Sequence, residues 1–133
     1  MIPQTEAELD TLLATPLAAD VEAMRSLAGP LIILGAGGKM GPTLAARAAR
    51  AVRQAGTSGR VIAVSRFSDP AGRDWLDSLG VETISRDLLA PGALESLPDS
   101  PNVIFMAARK FGSTGSPWLT WTANAVLPGL AAR

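Results

Sequence analysis

Seven consecutive residues, Gly35-Ala36-Gly37-Gly38-Lys39-Met40-Gly41, carry the strongest chemical signal in the chain. They follow the apolar run Leu31-Ile32-Ile33-Leu34 and precede Pro42, whose fixed φ suits the first turn of a helix. A glycine loop that leaves a buried strand and opens a helix is the setting a dinucleotide needs, because free backbone N–H groups and the positive helix end meet its phosphates there. Gly35 permits the tight turn, Gly37 or Gly38 lets the backbone approach a pyrophosphate, and Gly41 lets the helix pack on the strand. The end of the next apolar run, Val61 to Ser65, selects among cofactors. An acidic residue there would bind a ribose 2′-hydroxyl and repel a 2′-phosphate, whereas this chain has Ser65-Arg66. A hydroxyl and a planar guanidinium suit a phosphate monoester, so the expected cofactor is NADP or NAD, with NADP slightly favoured.

Composition narrows what such a site could do. The 133 residues make one domain, and 47% hydrophobic against 18% charged residues is enough apolar content for one core. Lys plus Arg and Asp plus Glu number 12 each, so no basic excess points to nucleic acid. Histidine, cysteine and tyrosine are absent, which excludes thiol chemistry, Ser-His-Asp triads, disulfides and ordinary zinc sites. The first ten residues are acidic and polar rather than basic and then apolar, and the expected location is cytoplasmic. The apolar stretch Trp118 to Ala132 is too short to span a bilayer and is interrupted by Pro128 and Gly129, so no membrane span is expected.

The elements that must position the loop read as an α/β fold. Residues 1–30 form a helical arm expected to pack on the main domain. Thr5 and Glu8 have capping-box spacing ahead of Leu9, Leu12 and Leu13, and a second helix runs from Asp20 through Leu27. Residues 31–133 form a Rossmann-like open parallel sheet. Its strands are Leu31–Leu34, Val61–Ser65, Val81–Ser85 and Val103–Ala107, expected in the order 3-2-1-4. Helices are expected over Pro42–Ala55 and from Asp69-Pro70 to Leu79, with one or two turns over Pro91–Leu97. A last helix over Pro117–Leu130 is disturbed by Pro128-Gly129. Arg47, Arg50 and Arg53 share one face of the first long helix, expected to be a solvated outer face.

The order and spacing of these features resemble a known family. The Gly35-x-x-Gly38-x-x-Gly41 spacing, Ser65-Arg66, Asp87-Leu88, Ala107-Ala108 and Asn124 are similar to the extended short-chain dehydrogenase/reductases, and more narrowly to the NAD-dependent epimerase/dehydratase family. The resemblance covers Leu31 onward. It implies that Asp87 and Leu88 flank the adenine ring, that Ala107 and Ala108 line the cofactor near the nicotinamide ribose, and that Arg109 stands beyond them at the carboxyl end of the fourth strand, within the cofactor site. Asn124 would be an auxiliary active-site residue. Lys39 and Met40 belong to the cofactor loop, and Lys110 and the loop Gly112 to Gly115 would stand where ligands of open sheets bind. The family transfers protons with a Tyr-x-x-x-Lys pair, and this chain has no tyrosine and lysines only at 39 and 110.

The expectation is therefore the cofactor-binding portion of an NAD(P)-dependent epimerase/dehydratase or oxidoreductase, incomplete at its C-terminus and itself inactive. The parent would act on a hydroxyl or carbonyl group of a small, sugar-like substrate. Two alternatives stand beside it: a noncatalytic NADP(H)-sensing module, and a cofactor domain similar to dihydrodipicolinate reductases. The latter shares the glycine loop, but its histidines have no counterpart here. The exposed edge of the fourth strand, or the helices, would serve a homodimer.

Overall fold

The computed structural model describes residues 2–109 and 114–133. Strands β1 (Leu31–Leu34), β2 (Val61–Ser65), β3 (Glu82–Ser85) and β4 (Asn102–Phe105) form one parallel sheet in the order β3-β2-β1-β4, the expected Rossmann-like topology. Every residue of β1 is buried, as are Val61 to Val64 of β2, which is why both strands read as unbroken apolar runs. Alternate side chains feed opposite faces. Ile33 and Ala63 join Ala45, Ala46, Ala48 and Leu76 on one side, and Ile32, Leu34, Ile62 and Val64 join Leu88 and Leu127 on the other. Each fully buried Ile, Leu or Val contributes about 2 kcal/mol of transfer free energy.

The connecting helices follow the same logic. α3 (Gly41–Ala55) has Pro42 in its first turn and ends at Gly56 in the left-handed conformation (φ 67°). Its buried alanines let it lie close to the sheet. α4 (Pro70–Ser78) starts where the Asp69 carboxylate accepts the Ala71 N–H at 3.1 Å, and it buries Leu76.

Several boundaries differ from the sequence expectation. β3 starts at Glu82 rather than Val81, and β4 covers Asn102–Phe105 rather than Val103–Ala107. The start of β4 is latched to the segment leading into β1: Asn102 Nδ2 donates to Ala28 O at 2.6 Å, and Ser100 Oγ donates to Pro30 O at 2.5 Å. The ladder ends when Met106 N–H donates to Leu34 O at 2.7 Å, because Gly35 then turns away and leaves Ala107 no strand to pair with. Residues 91–97 form successive turns instead of a helix, with Gly92 at φ 72° and Pro98 closing the segment. The last helix is α5 (Pro117–Trp121), a π-helical turn over Thr122–Val126, and α6 (Leu127–Ala131). Pro128 has no N–H for the Asn124 carbonyl and its ring crowds it, and widening the turn relieves both demands. The disturbance thus lies upstream of Pro128 rather than at Pro128-Gly129.

The arginine stripe of α3 is a solvated face only at Arg53; Arg47 and Arg50 are half-buried. Arg47 pairs with Asp20 at 2.5 Å, Arg50 donates to Ala14 O at 3.2 Å and Arg53 donates to Leu79 O at 3.3 Å. Arg47 and Arg50 form the seam that holds α2 (Ala18–Ser26) and the end of α1 (Glu6–Leu13) against α3, while Arg53 reaches the end of α4. Met24 and Leu27 add apolar contact to the core, and Ala14 is fully buried. α1 itself buries no residue, and Leu9, Leu12 and Leu13 stay exposed. Its capping box is shifted: Thr5 Oγ1 accepts the Glu8 N–H at 3.2 Å, while the Glu8 carboxylate accepts from Gln4 N–H rather than from Thr5.

This seam makes stability depend on acid. The Leu17 N–H, and after it the Arg47 guanidinium, hold the Asp20 carboxyl below the usual carboxylate range. Arg60 does the same for Glu82. A depressed folded-state pKa contributes stability above the unfolded value of about 4, and that contribution is lost as pH falls through the lower folded value. The thermal midpoint is therefore expected to fall between about pH 5 and about pH 3. In Asp20→Asn it should start lower at neutral pH and fall less over the same range, which thermal melts by circular dichroism would show.

Candidate functional site

A cleft of about 560 Å³ opens at the carboxyl ends of the strands, the end at which open α/β sheets take ligands. It gathers most of the residues singled out by sequence: Gly35, Gly37 and Gly38 from the loop, Ser65 and Arg66 after β2, Asp87 and Leu88 after β3, and Ala107, Ala108 and Arg109 after β4. Lys39, Met40 and Gly41 do not line it. Lys39 and Met40 are exposed, and the Met40 carbonyl instead accepts the Leu44 N–H at the start of α3. Gly41 is buried against Ala36. Lys110, Gly112 and Ser113 lie outside the described residues.

The glycines of the loop serve different ends. Gly35 has φ 85°, and a Cβ there would overlap the backbone of Ala107. A Cβ on Gly41 would overlap Ala36, and one on Gly37 would overlap the Ser65 side chain. Gly38 is different: its φ is not left-handed, and an added Cβ would meet only Gly35 O, at the ordinary distance of 3.6 Å. Backbone packing rules out a side chain at Gly35 and Gly41, and at Gly37 the Ser65 side chain would have to turn aside. At Gly38 packing allows one, and this glycine lines the cleft.

The walls are fixed by hydrogen bonds from the strand ends. Arg86 N–H donates to Ser65 O at 2.8 Å and Ser85 Oγ donates to Arg66 O at 3.3 Å, which ties the exits of β2 and β3 together. Beyond Arg66 the chain bends sharply through Phe67, at φ 48°, a conformation that costs a bulky residue about 1 kcal/mol. Its ring offsets this by packing on the core, with the Arg73 guanidinium 6.0 Å from the ring centre. The bend leaves Arg66 exposed on the cleft wall. Across the cleft, Leu88 is anchored in the second core cluster, and the Asp87 carboxylate accepts the Leu89 N–H at 3.0 Å.

Asn124 is not on the cleft wall. Its Oδ1 accepts the Arg109 N–H at 2.8 Å and its Nδ2 donates to Arg109 O at 3.1 Å, so both polar groups of one peptide position are held by one side chain. It acts here as a positioning residue for the lip formed by Ala107 to Arg109. The π-turn that carries Asn124 also sets Ala123 and Leu127 against the cleft.

Sequence reasoning missed Ser68, Asp69, Arg86, Leu89, Met106, Ala123 and Leu127 as wall residues. Arg86 had a signal: it stands one residue past the third strand, as Arg66 stands past the second. Ala123 and Leu127 had none, because their placement depends on the extra residue in the π-turn. Among the described residues no cluster of three potential metal ligands occurs, and no helix is long and apolar enough to cross a membrane. The cleft offers hydroxyls, backbone amides, guanidiniums and two carboxylates, a set suited to holding an anionic ligand. Searches against protein-family models, curated proteins and solved structures find no match to this chain.

Proposed function

We propose that the cleft binds an adenine dinucleotide, NADP in preference to NAD. In this reading the chain is the cofactor-binding portion of an NAD(P)-dependent oxidoreductase or epimerase/dehydratase that acts on a hydroxyl or carbonyl group of a small, sugar-like molecule. The observation that carries it is Gly38, a glycine that faces the cleft at the mouth of a strand-to-helix turn and that no packing or backbone constraint demands. Clearance for a pyrophosphate accounts for it. The loop leads into α3, a helix 15 residues long whose positive end lies toward the loop.

Residue roles follow from position. Gly35, Gly37 and Gly38 would cradle the pyrophosphate, Ser65 and Arg66 would meet the adenosine ribose, and Asp87 with Leu88 would border the adenine. Ala107 and Ala108 are small enough to admit the nicotinamide ribose at the lip that Asn124 holds. The bound nicotinamide would supply hydride transfer. This chain contributes binding and orientation; with no tyrosine in the sequence, it does not contribute the proton transfer of the family it resembles.

Titration with NADPH and with NADH tests the reading directly. The unmodified chain should bind NADPH more tightly, and Arg66→Ala should weaken NADPH by about tenfold while changing NADH by less than about twofold. An unchanged preference in Arg66→Ala would remove Arg66 from the site.

A further inference from the structure

β2 and β3 run parallel with Ser65 opposite Ser85, so Arg66 and Arg86 leave the sheet side by side. Parallel neighbours are about 4.8 Å apart, and both arginines line the same cleft. Their backbones are tied by the Arg86 N–H to Ser65 O and Ser85 Oγ to Arg66 O bonds. Two like charges are thereby held at adjacent positions.

Six other arginines have side-chain partners in the fold. Arg25 pairs with Glu22, Arg47 with Asp20 and Arg60 with Glu82; Arg73 bonds Thr83, and Arg50 and Arg53 donate to backbone carbonyls. Among the described residues, no carboxylate or carbonyl accepts a hydrogen bond from the guanidinium of Arg66 or Arg86. The two carboxylates of the same cleft do not neutralise them by pairing. Asp69 accepts the Ala71 N–H and caps α4, and Asp87 accepts the Leu89 N–H. Two cations rooted at neighbouring strand exits present positive charge to one cleft, and an anion is the occupant that complements it.

We propose that Arg86 is a second specificity-determining cation of this cleft, forming with Arg66 a two-guanidinium subsite for a phosphomonoester dianion, the 2′-phosphate of the dinucleotide. The inference rests on the dinucleotide reading and deepens it. A phosphomonoester carries a charge of about −1.5 to −2 and three terminal oxygens, which two planar forks can share, whereas a pyrophosphate or diester has one charge per phosphorus. The pyrophosphate is in any case expected at the glycine loop, on the other side of Ser65. Ser68, on the same wall, adds a hydroxyl.

The test is calorimetric titration of the full chain, with Arg86→Gln, Arg86→Lys and Arg66→Gln beside it. The probes are NADPH, NADH, adenosine 2′,5′-bisphosphate and 5′-AMP, and thermal melts establish that each variant is folded. The expected result is a loss of about tenfold in affinity for NADPH and for the bisphosphate in Arg86→Gln, with NADH and 5′-AMP changed by less than about twofold. Arg86→Lys should recover part of the loss, since it restores charge without the fork. Equal losses for all four probes, or none for the two 2′-phosphorylated ones, would overturn the subsite. Equal binding of NADPH and NADH by the unmodified chain would overturn it while leaving the dinucleotide reading intact. Binding of none of the four would overturn both.

Discussion

Gly35→Ala is expected to destabilise the fold by about 3 to 5 kcal/mol, a large fraction of the stability of a domain this size. Two costs add. The left-handed φ of 85° disfavours any residue with a Cβ by about 1 to 2 kcal/mol. The new methyl would also overlap the Ala107 backbone, and neither side can retreat cheaply. Gly35 N–H is held by Val64 O at 2.8 Å, and Met106 N–H, beside Ala107, is held by Leu34 O at 2.7 Å, so relief means breaking the ends of two strand pairings. Urea denaturation followed by circular dichroism gives the number. A loss below about 1 kcal/mol would show that the β1 and β4 exits are less tightly coupled than their hydrogen bonds imply.

The second large effect separates stability from binding. Gly38→Ala is expected to leave stability within about 0.5 kcal/mol, because its methyl enters open space, yet to weaken both NADPH and NADH by about tenfold or more. Arg66 and Arg86 variants should discriminate between the two cofactors; Gly38→Ala should not, since both carry the same pyrophosphate. If Gly38→Ala binds both cofactors as the unmodified chain does, the glycine loop is only a crossover turn. Comparing Gly35→Ala with Gly38→Ala in one experiment tests whether glycines in one loop are kept for different reasons.

The centre of the sheet was legible in the sequence because β1 and β2 are buried on both faces, and nothing but an unbroken apolar run fits there. The edges were less so. β3 carries Glu82 and Thr83, and β4 starts at Asn102, whose side chain is committed to Ala28 O; such contacts leave no mark in periodicity. The 91–97 segment has helix-like composition but is broken by a glycine at positive φ. In the site, residues at strand exits were found because topology alone sends them to one end of the sheet. Lys39 and Met40 stand outside the cleft lining, because loop membership does not say which way a residue faces. Arg47 and Arg50 of α3 were misread as solvated for a different reason: helical spacing shows that residues share a face, and only tertiary packing shows that the N-terminal arm covers part of it.

α1 has a dynamic consequence. It meets the domain through polar contacts at its end and through Ala14, while its own leucines remain in water. Its opening uncovers Ala14 and parts of half-exposed leucines, far less apolar surface than separating the central strands would, so it is resisted less. The amides of α1 then exchange with solvent through a small local excursion, on a faster clock than those of β1 and β2, which wait for the whole sheet to come apart.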